Sequence, residues 1–147
     1  MPFAARLAQG VRLVANTYHL DDQRRHREDF LFVDRAWDCF LGWMLSNDKS
    51  AKNQSEGVRW LRKAADRGNT DAQMTLGRQL RDGQGVAKDP AEAFAWMHVA
   101  ALNAKTPSNR TAWLKERDAI GDELPAAEKA KAAARARQYA KQFAPAQ

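Results

Sequence analysis

The feature that most constrains this chain is that it repeats itself. Leu41-Gly42 returns 35 residues later as Leu76-Gly77, and Leu45 returns as Leu80 at the same offset. Farther along the offset becomes 36, pairing Lys52 with Lys88, Asn53 with Asp89, Glu56 with Glu92, Trp60 with Trp96, and Ala64-Ala65 with Ala100-Ala101. One residue is missing between the two blocks of the first copy, and register holds on either side. A slip confined to one short stretch is what a helix–loop–helix repeat tolerates, because loops absorb length changes. Such a period points to stacked supersecondary units, none of which can bury its apolar face alone.

Each copy divides into two helices. In the second, Thr70 or a neighbour caps a helix that runs to about Asp82, and Gly83 and Gly85 free the backbone for a tight turn. Asp89 then fits as N-cap, Pro90 as the first helical residue and Glu92 as the reciprocal half of a capping box. The first copy repeats the cap as Asn53-Gln54-Ser55-Glu56, and its second helix stops at Gly68. Trp60, Leu61, Ala64 and Ala65 share one helical face. Paired alanines let helices approach closely, so Trp60 and Trp96 are expected to fill the adjoining core rather than to stack on a ligand.

These positions resemble the Sel1-like repeat, a relative of the tetratricopeptide repeat. Ala72, Leu76-Gly77, Gly83, Gly85-Val86, Asp89, Ala93, Trp96 and Ala100-Ala101 occupy the places of that pattern. The first copy departs from it, with Trp37 where the second has Ala72 and Ser-Asn-Asp-Lys-Ser in place of the glycine turn. The resemblance implies a non-catalytic scaffold, a protein–protein interaction adaptor or regulator that holds its partner in the solenoid groove.

The ends of the chain follow the pattern less closely, as terminal units of solenoids do. Phe3, Ala4, Leu7, Val11, Val14 and Tyr18 fall on one helical arc, with Arg6, Gln9, Arg12 and Asn16 opposite. Two arginines hold a membrane surface weakly, so residues 3–18 are expected to cap the first repeat. Pro107, Gly121 and Pro125 predict two further helices near 109–119 and 126–143, the latter with Ala132, Ala136, Tyr139, Ala140 and Phe143 on one face. The expected fold is all-α: a short right-handed α-solenoid of antiparallel helix pairs, about seven helices, with atypical capping helices at both ends. It forms a single domain over residues 1–147. Residues 1–20 cap its N-terminus, 22–68 form the divergent repeat, 69–104 the well-matched repeat, and 105–147 the C-terminal capping helices.

Charge narrows the partners. The net charge is +6, but the excess is spread as +1 over residues 1–35, +2 over 36–105 and +3 over 106–147. Interspersed charges of both signs mark a solvated helical surface. Nucleic acid, or another acidic surface bound by the basic helical face, is therefore the runner-up reading. No apolar run approaches the ~20 residues of a membrane span. Cys39 is the single cysteine, which excludes an intramolecular disulfide, and Arg6 and Arg12 interrupt any secretory apolar stretch. Both features point to the cytoplasm; an organellar leader is the alternative, because no acidic residue precedes Asp21.

Catalytic patterns are missing. His19, His26 and His98 have no second His or Cys at metal-ligand spacing, and Gly83-Gln84-Gly85 is followed by Val-Ala-Lys-Asp rather than a phosphate-binding Lys-Ser/Thr. No enzyme, cofactor or metal is expected, and Cys39 reads as a buried thiol. The candidate interaction site lies on the long helix from about Asp22 to Leu45. One stripe, Phe30, Val33, Trp37, Phe40, Leu41, Met44 and Leu45, is assigned to the core. A second stripe, Phe32, Ala36, Cys39 and Trp43, lies about a third of a turn away, and two stripes imply two neighbours. The 35-residue offset carries Cys39 onto Met74, Trp43 onto Arg78 and Ser46 onto Arg81. Phe32, Trp43, Met74, Arg78 and Arg81 are accordingly expected to form or border a partner-binding groove, with the chain's own terminal helices or a homodimer as competing occupants.

Overall fold

The computed structural model describes residues 27–143, the first ten of them by backbone alone. The helix expected over residues 3–18 lies outside the described part. Within it all regular structure is helical: α1 (Arg27–Ser46), α2 (Ala51–Asp66), α3 (Thr70–Asp82), α4 (Pro90–Leu102), α5 (Pro107–Asp122) and α6 (Ala126–Gln142). α1 packs on α2, α2 on α3, and α3 on α4, while α4 also carries α5 and α6. The architecture is an all-α helical repeat stack.

Local chemistry sets the helix ends. The Asn69 side chain accepts a hydrogen bond from the Ala72 N–H at 2.9 Å, and Asp89 accepts from the Glu92 N–H at 2.9 Å with Pro90 behind it. Glu92 does not close a capping box. The Asp89 N–H it would receive is already donated to the Leu80 carbonyl at 3.0 Å. Its carboxylate instead accepts from Arg62 at 2.9 Å and from the Trp96 indole N–H at 3.2 Å. The first copy also differs: α2 starts at Ala51, ahead of the expected cap at Asn53. The Asp48 carboxylate accepts from the Ser50 N–H at 2.7 Å, and the Gln54 side chain donates to the Asp48 carbonyl at 2.8 Å, closing the turn early.

The core centres on α4, where Ala93, Ala95, Trp96, Met97, Val99, Ala100 and Ala101 are all buried. A helix with three neighbours buries most of its surface, and the stripe of Ala91, Phe94, His98 and Leu102 keeps partial contact with water. Trp96 is held by aromatic rings from α6 and beyond it, 4.6 Å from Tyr139 and 5.6 Å from Phe143. Ala132 and Ala136 bring α6 in close. Trp60, expected to be its counterpart in the core, is only half-buried. Tyr139 and Phe143 place their rings against Trp96. Lys63 sits over the Trp60 ring instead, 4.8 Å from its centroid.

The inward face of α1 also departs from expectation. Trp37 and Phe40, assigned to the core stripe, are 44% and 47% exposed, and the buried positions are Asp38, Gly42, Leu45 and Ser46. The cause is a glycine-to-glycine crossing. A Cβ on Gly42 would stand 2.8 Å from the Leu61 nitrogen, and one on Gly57 would stand 2.8 Å from the Gly42 carbonyl oxygen and collide with the Ser46 nitrogen. The two backbones touch, and this contact fixes how α1 is rotated about its axis. Beside it the buried Asp38 carboxylate receives Lys63 of α2 at 3.2 Å and Arg67, the residue that caps α2, at 3.0 Å. The 35-residue offset puts Gln73 in the matching place, also buried, with its side-chain nitrogen donating to the Ala65 carbonyl at 3.2 Å.

Substitution at this crossing is a direct test. Gly57→Ala gains helix propensity but forces the helices apart, and is expected to destabilise the protein by about 2 kcal/mol. Thermal melting followed by circular dichroism should show the midpoint falling by several degrees. An unchanged midpoint would mean that the contact does not hold α1 in place.

Candidate functional site

The rotation of α1 turns one of its faces toward α3 and leaves an open groove of ≈ 740 Å³ between them. α1 supplies Cys39, Phe40 and Trp43, with Asn47 just past its end, and α3 supplies Asp71, Met74, Thr75, Arg78, Gln79 and Asp82. The α3 set follows the helical period along a single stripe. Gly68, Asn69 and Thr70 line the groove from the α2–α3 turn, and Gln84 and Lys105 line it from the loops before and after α4. Trp43 is 53% exposed, so its ring is available for contact rather than spent on the fold.

Several bonds hold this wall in place. The Trp43 carbonyl accepts from the Ser46 hydroxyl at 3.0 Å and from the Asn47 side chain at 2.7 Å, which tightens the last turn of α1. Gln84 donates from its side chain to the Ser46 carbonyl at 3.0 Å, tying that turn to the loop after α3. The loop itself bends at Gly83, whose φ of 72 lies in the left-handed region where a side chain would be strained. At the other end Gly68, with a φ of 84, reverses the chain ahead of the Asn69 cap.

Most of the charge along the groove is already spent. Arg78 grips Glu116 of α5 with two hydrogen bonds, the Nε contact at 2.9 Å. Arg81 is bidentate on Asp82 at 2.7 and 2.9 Å and lies 3.5 Å from Glu116. The Arg78 hydrogen bond holds the Glu116 carboxyl below the usual carboxylate range, and the Arg81 hydrogen bond does the same for Asp82. Asp71 and Lys105, by contrast, have no ion-pair partner among the described residues. Gln79 is buried to 7% exposure, and its side-chain oxygen has no hydrogen-bond partner.

Of the residues singled out from the sequence, Trp43, Met74 and Arg78 line this one groove. Arg81 does not line it; its guanidinium is drawn to Asp82 and Glu116. The Phe32 side chain lies outside the described part. Phe40, Asp71 and Gln79 escaped the sequence analysis. Phe40 had a signal, because the 35-residue offset carries it onto the polar Thr75 and so onto a solvent-facing position. Gln79 had none: only its bonding state sets it apart.

Chemistry is not what the arrangement suits. Cys39 is half-buried, and burial, helped by the Asp71 carboxylate, pushes its thiol up to about 11, leaving little thiolate at neutral pH. His98 meets Arg117 at 2.9 Å, and burial and that guanidinium lower its pKa, so the ring stays neutral. Among the described residues no group of three or more His, Cys, Asp or Glu could hold a metal ion, and no helix is long and apolar enough to cross a membrane.

Comparison with known proteins gives this architecture its context. Residues 39–69 and 70–104 each match the model of the Sel1 repeat. Chitin synthase regulatory factor 3 of Schizosaccharomyces pombe is 39% identical over 62 residues, which cover 41% of this chain and 7% of that protein. Among solved structures, a protective antigen of uropathogenic Escherichia coli displaying an SLR fold is 22% identical with a TM-score of 0.44, covering 90% of this chain and 38% of that one. The chain thus spans well under two thirds of either protein's length. Sel1 repeats mediate protein–protein contacts and in general serve as non-catalytic scaffolds. The chain thus carries two Sel1 repeats in succession between Cys39 and Ala104.

Proposed function

We propose that this chain is a non-catalytic adaptor that holds a partner protein in the groove between α1 and α3. The observation that carries the reading is the exposure of Trp43 and Phe40, 53% and 47%, along an open groove floored by Met74 and Cys39. Contiguous exposed aromatic surface is rare on a monomer's surface and common in interface cores. The partner gains its affinity by covering these rings, with Arg78 kept rigid by Glu116 at the edge. We place this function in the cytoplasm, where a lone cysteine stays reduced.

The electrostatic alternative, binding of nucleic acid or an acidic surface, has less behind it. Much of the basic charge is engaged within the fold: Arg62 with Glu92, Arg67 with Asp38, Arg78 with Glu116, Lys129 with Asp122 and Lys131 with Glu128. Binding that rests on phosphate contacts would also fall steeply with salt.

Affinity capture from the native lysate, with wild type beside Trp43→Ala, tests the adaptor reading. Partner recovery at moderate salt is expected to fall about tenfold or more in the variant, as for an aromatic at the centre of an interface. Equal recovery by a variant that circular dichroism shows to be folded would remove Trp43 from the site. Cys39 offers a second probe of the same groove. At pH 7.5 iodoacetamide should label it about a hundredfold more slowly than an ordinary thiol, in proportion to the thiolate lost as its pKa rises to about 11. Labelling at an ordinary rate would mean that the floor of the groove is open water.

A further inference from the structure

We propose that residues 3–18 pack antiparallel on α1 in the place that α2 takes on α3, with Val11 against Trp37 and Arg12 on Glu56. The second repeat shows what such a place holds. There Ala72 and Leu76 of α3 are fully buried in one cluster with Leu61, Ala64 and Ala65 of α2. Glu92 of α4 is held by Arg62 of α2 at 2.9 Å. The matching positions one repeat earlier are Trp37, Leu41 and Glu56. Trp37 is 44% exposed, Leu41 is half-buried, and Glu56 is exposed with no ion-pair partner among the described residues. An open notch of ≈ 630 Å³ runs along this side of α2, lined by Lys52, Ser55, Glu56, Arg59, Trp60 and Lys63. Lys63 also reaches Asp38, the neighbour of Trp37, so the notch and the exposed face of α1 adjoin. The first repeat thus offers a seat for a helix, with apolar and polar contacts in place, and none of α1–α6 occupies it.

The chain's own sequence identifies the occupant. Residues 1–26 precede Arg27, and within them Phe3, Leu7, Val11, Val14 and Tyr18 recur at helical spacing. Val11-Arg12-Leu13-Val14-Ala15 repeats the build of Leu61-Arg62-Lys63-Ala64-Ala65, with a branched apolar residue, an arginine and an apolar pair at the same steps. Arg12 therefore follows Val11 as Arg62 follows Leu61. The reach of the chain agrees. With Val11 level with Trp37, Tyr18 is level with Phe30, seven residues farther along each antiparallel run. Residues 19–26 then close the turn to Arg27; they span up to about 26 Å, against the ~10 Å between packed helix axes. The size of the seat also favours a tethered occupant. Trp37 and the half-buried Leu41 and Met44 expose on the order of 200 Å² of apolar surface, where a free partner needs about 800 Å². A segment joined to α1 by a short turn is held at high effective concentration and needs far less. Trp43 lies outside the seat, so the inference is independent of the partner-binding groove.

Hydrogen exchange of the full chain, read by mass spectrometry, tests this. The amides of residues 5–18 are expected to exchange at least about tenfold more slowly than in an unstructured chain. Trp37→Glu should return them to the unstructured rate while residues 70–104 keep their protection. Glu56→Arg and Arg12→Glu should each weaken the protection about threefold, the size that a partly exposed ion pair supports, and the double variant should restore it. Exchange of residues 5–18 at the unstructured rate in the wild type overturns the proposal. So does protection that Trp37→Glu and Glu56→Arg leave unchanged, or a charge reversal that brings no recovery. If Trp37→Glu fails to fold, Glu56→Arg and its reversal decide alone, because Glu56 is exposed. Protection that falls when the protein is strongly diluted would put the segment on a second copy and overturn the intramolecular seat.

Discussion

The groove depends on a contact made by another face of α1. Gly42 and Gly57 let the backbones of α1 and α2 touch, and no other residue pair fits there. Because the touching point is fixed, so is the rotation of α1. The face carrying Asp38, Leu45 and Ser46 goes inward, and the face carrying Phe40 and Trp43 goes outward. Asp38 reinforces this from the same side, since a buried carboxylate with two cations from α2 and its cap cannot rotate into another setting without losing them. The second repeat has the looser version of the crossing. Gly77 faces Met97, a flexible side chain, with Ala93 in the place of Gly57. A methionine can yield where a backbone cannot.

That asymmetry explains which parts of the fold were legible in the sequence. The offset pattern identified the helix pairs, the Asp89 cap and the turn at Gly83, because each follows from local chemistry. Which face of α1 is buried is not local. Apolar character alone ranks Trp37 and Phe40 as core and Asp38 as surface, and the glycine crossing inverts that order. The information was present in the repeat, where Asp38 aligns with Gln73 and Phe40 with Thr75, but polarity at one copy had to be read against the other. Trp60 was misread for the opposite reason. Periodicity says that it should match Trp96, yet its burial depends on neighbours beyond the repeat, and the covering rings of Tyr139 and Phe143 belong to the C-terminal end. As for the groove, the offset brought Trp43, Met74 and Arg78 together, but could not reveal that Arg78 and Arg81 both turn toward Glu116.

The engagement of those arginines changes the charge that the groove presents. The chain is basic, with a net charge of +6, and a basic protein would be expected to present a basic site. Here Glu116 and Asp82 cancel Arg78 and Arg81, so the charges along the wall hold the structure and contribute little net potential. Long-range steering by such a groove is weak. On the proposed reading, discrimination between partners is short-range and rests on the apolar area of Trp43 and Phe40, which acts only in contact. The Arg78–Glu116 pair also ties α3 to α5, so this wall of the groove is braced by the C-terminal part of the stack.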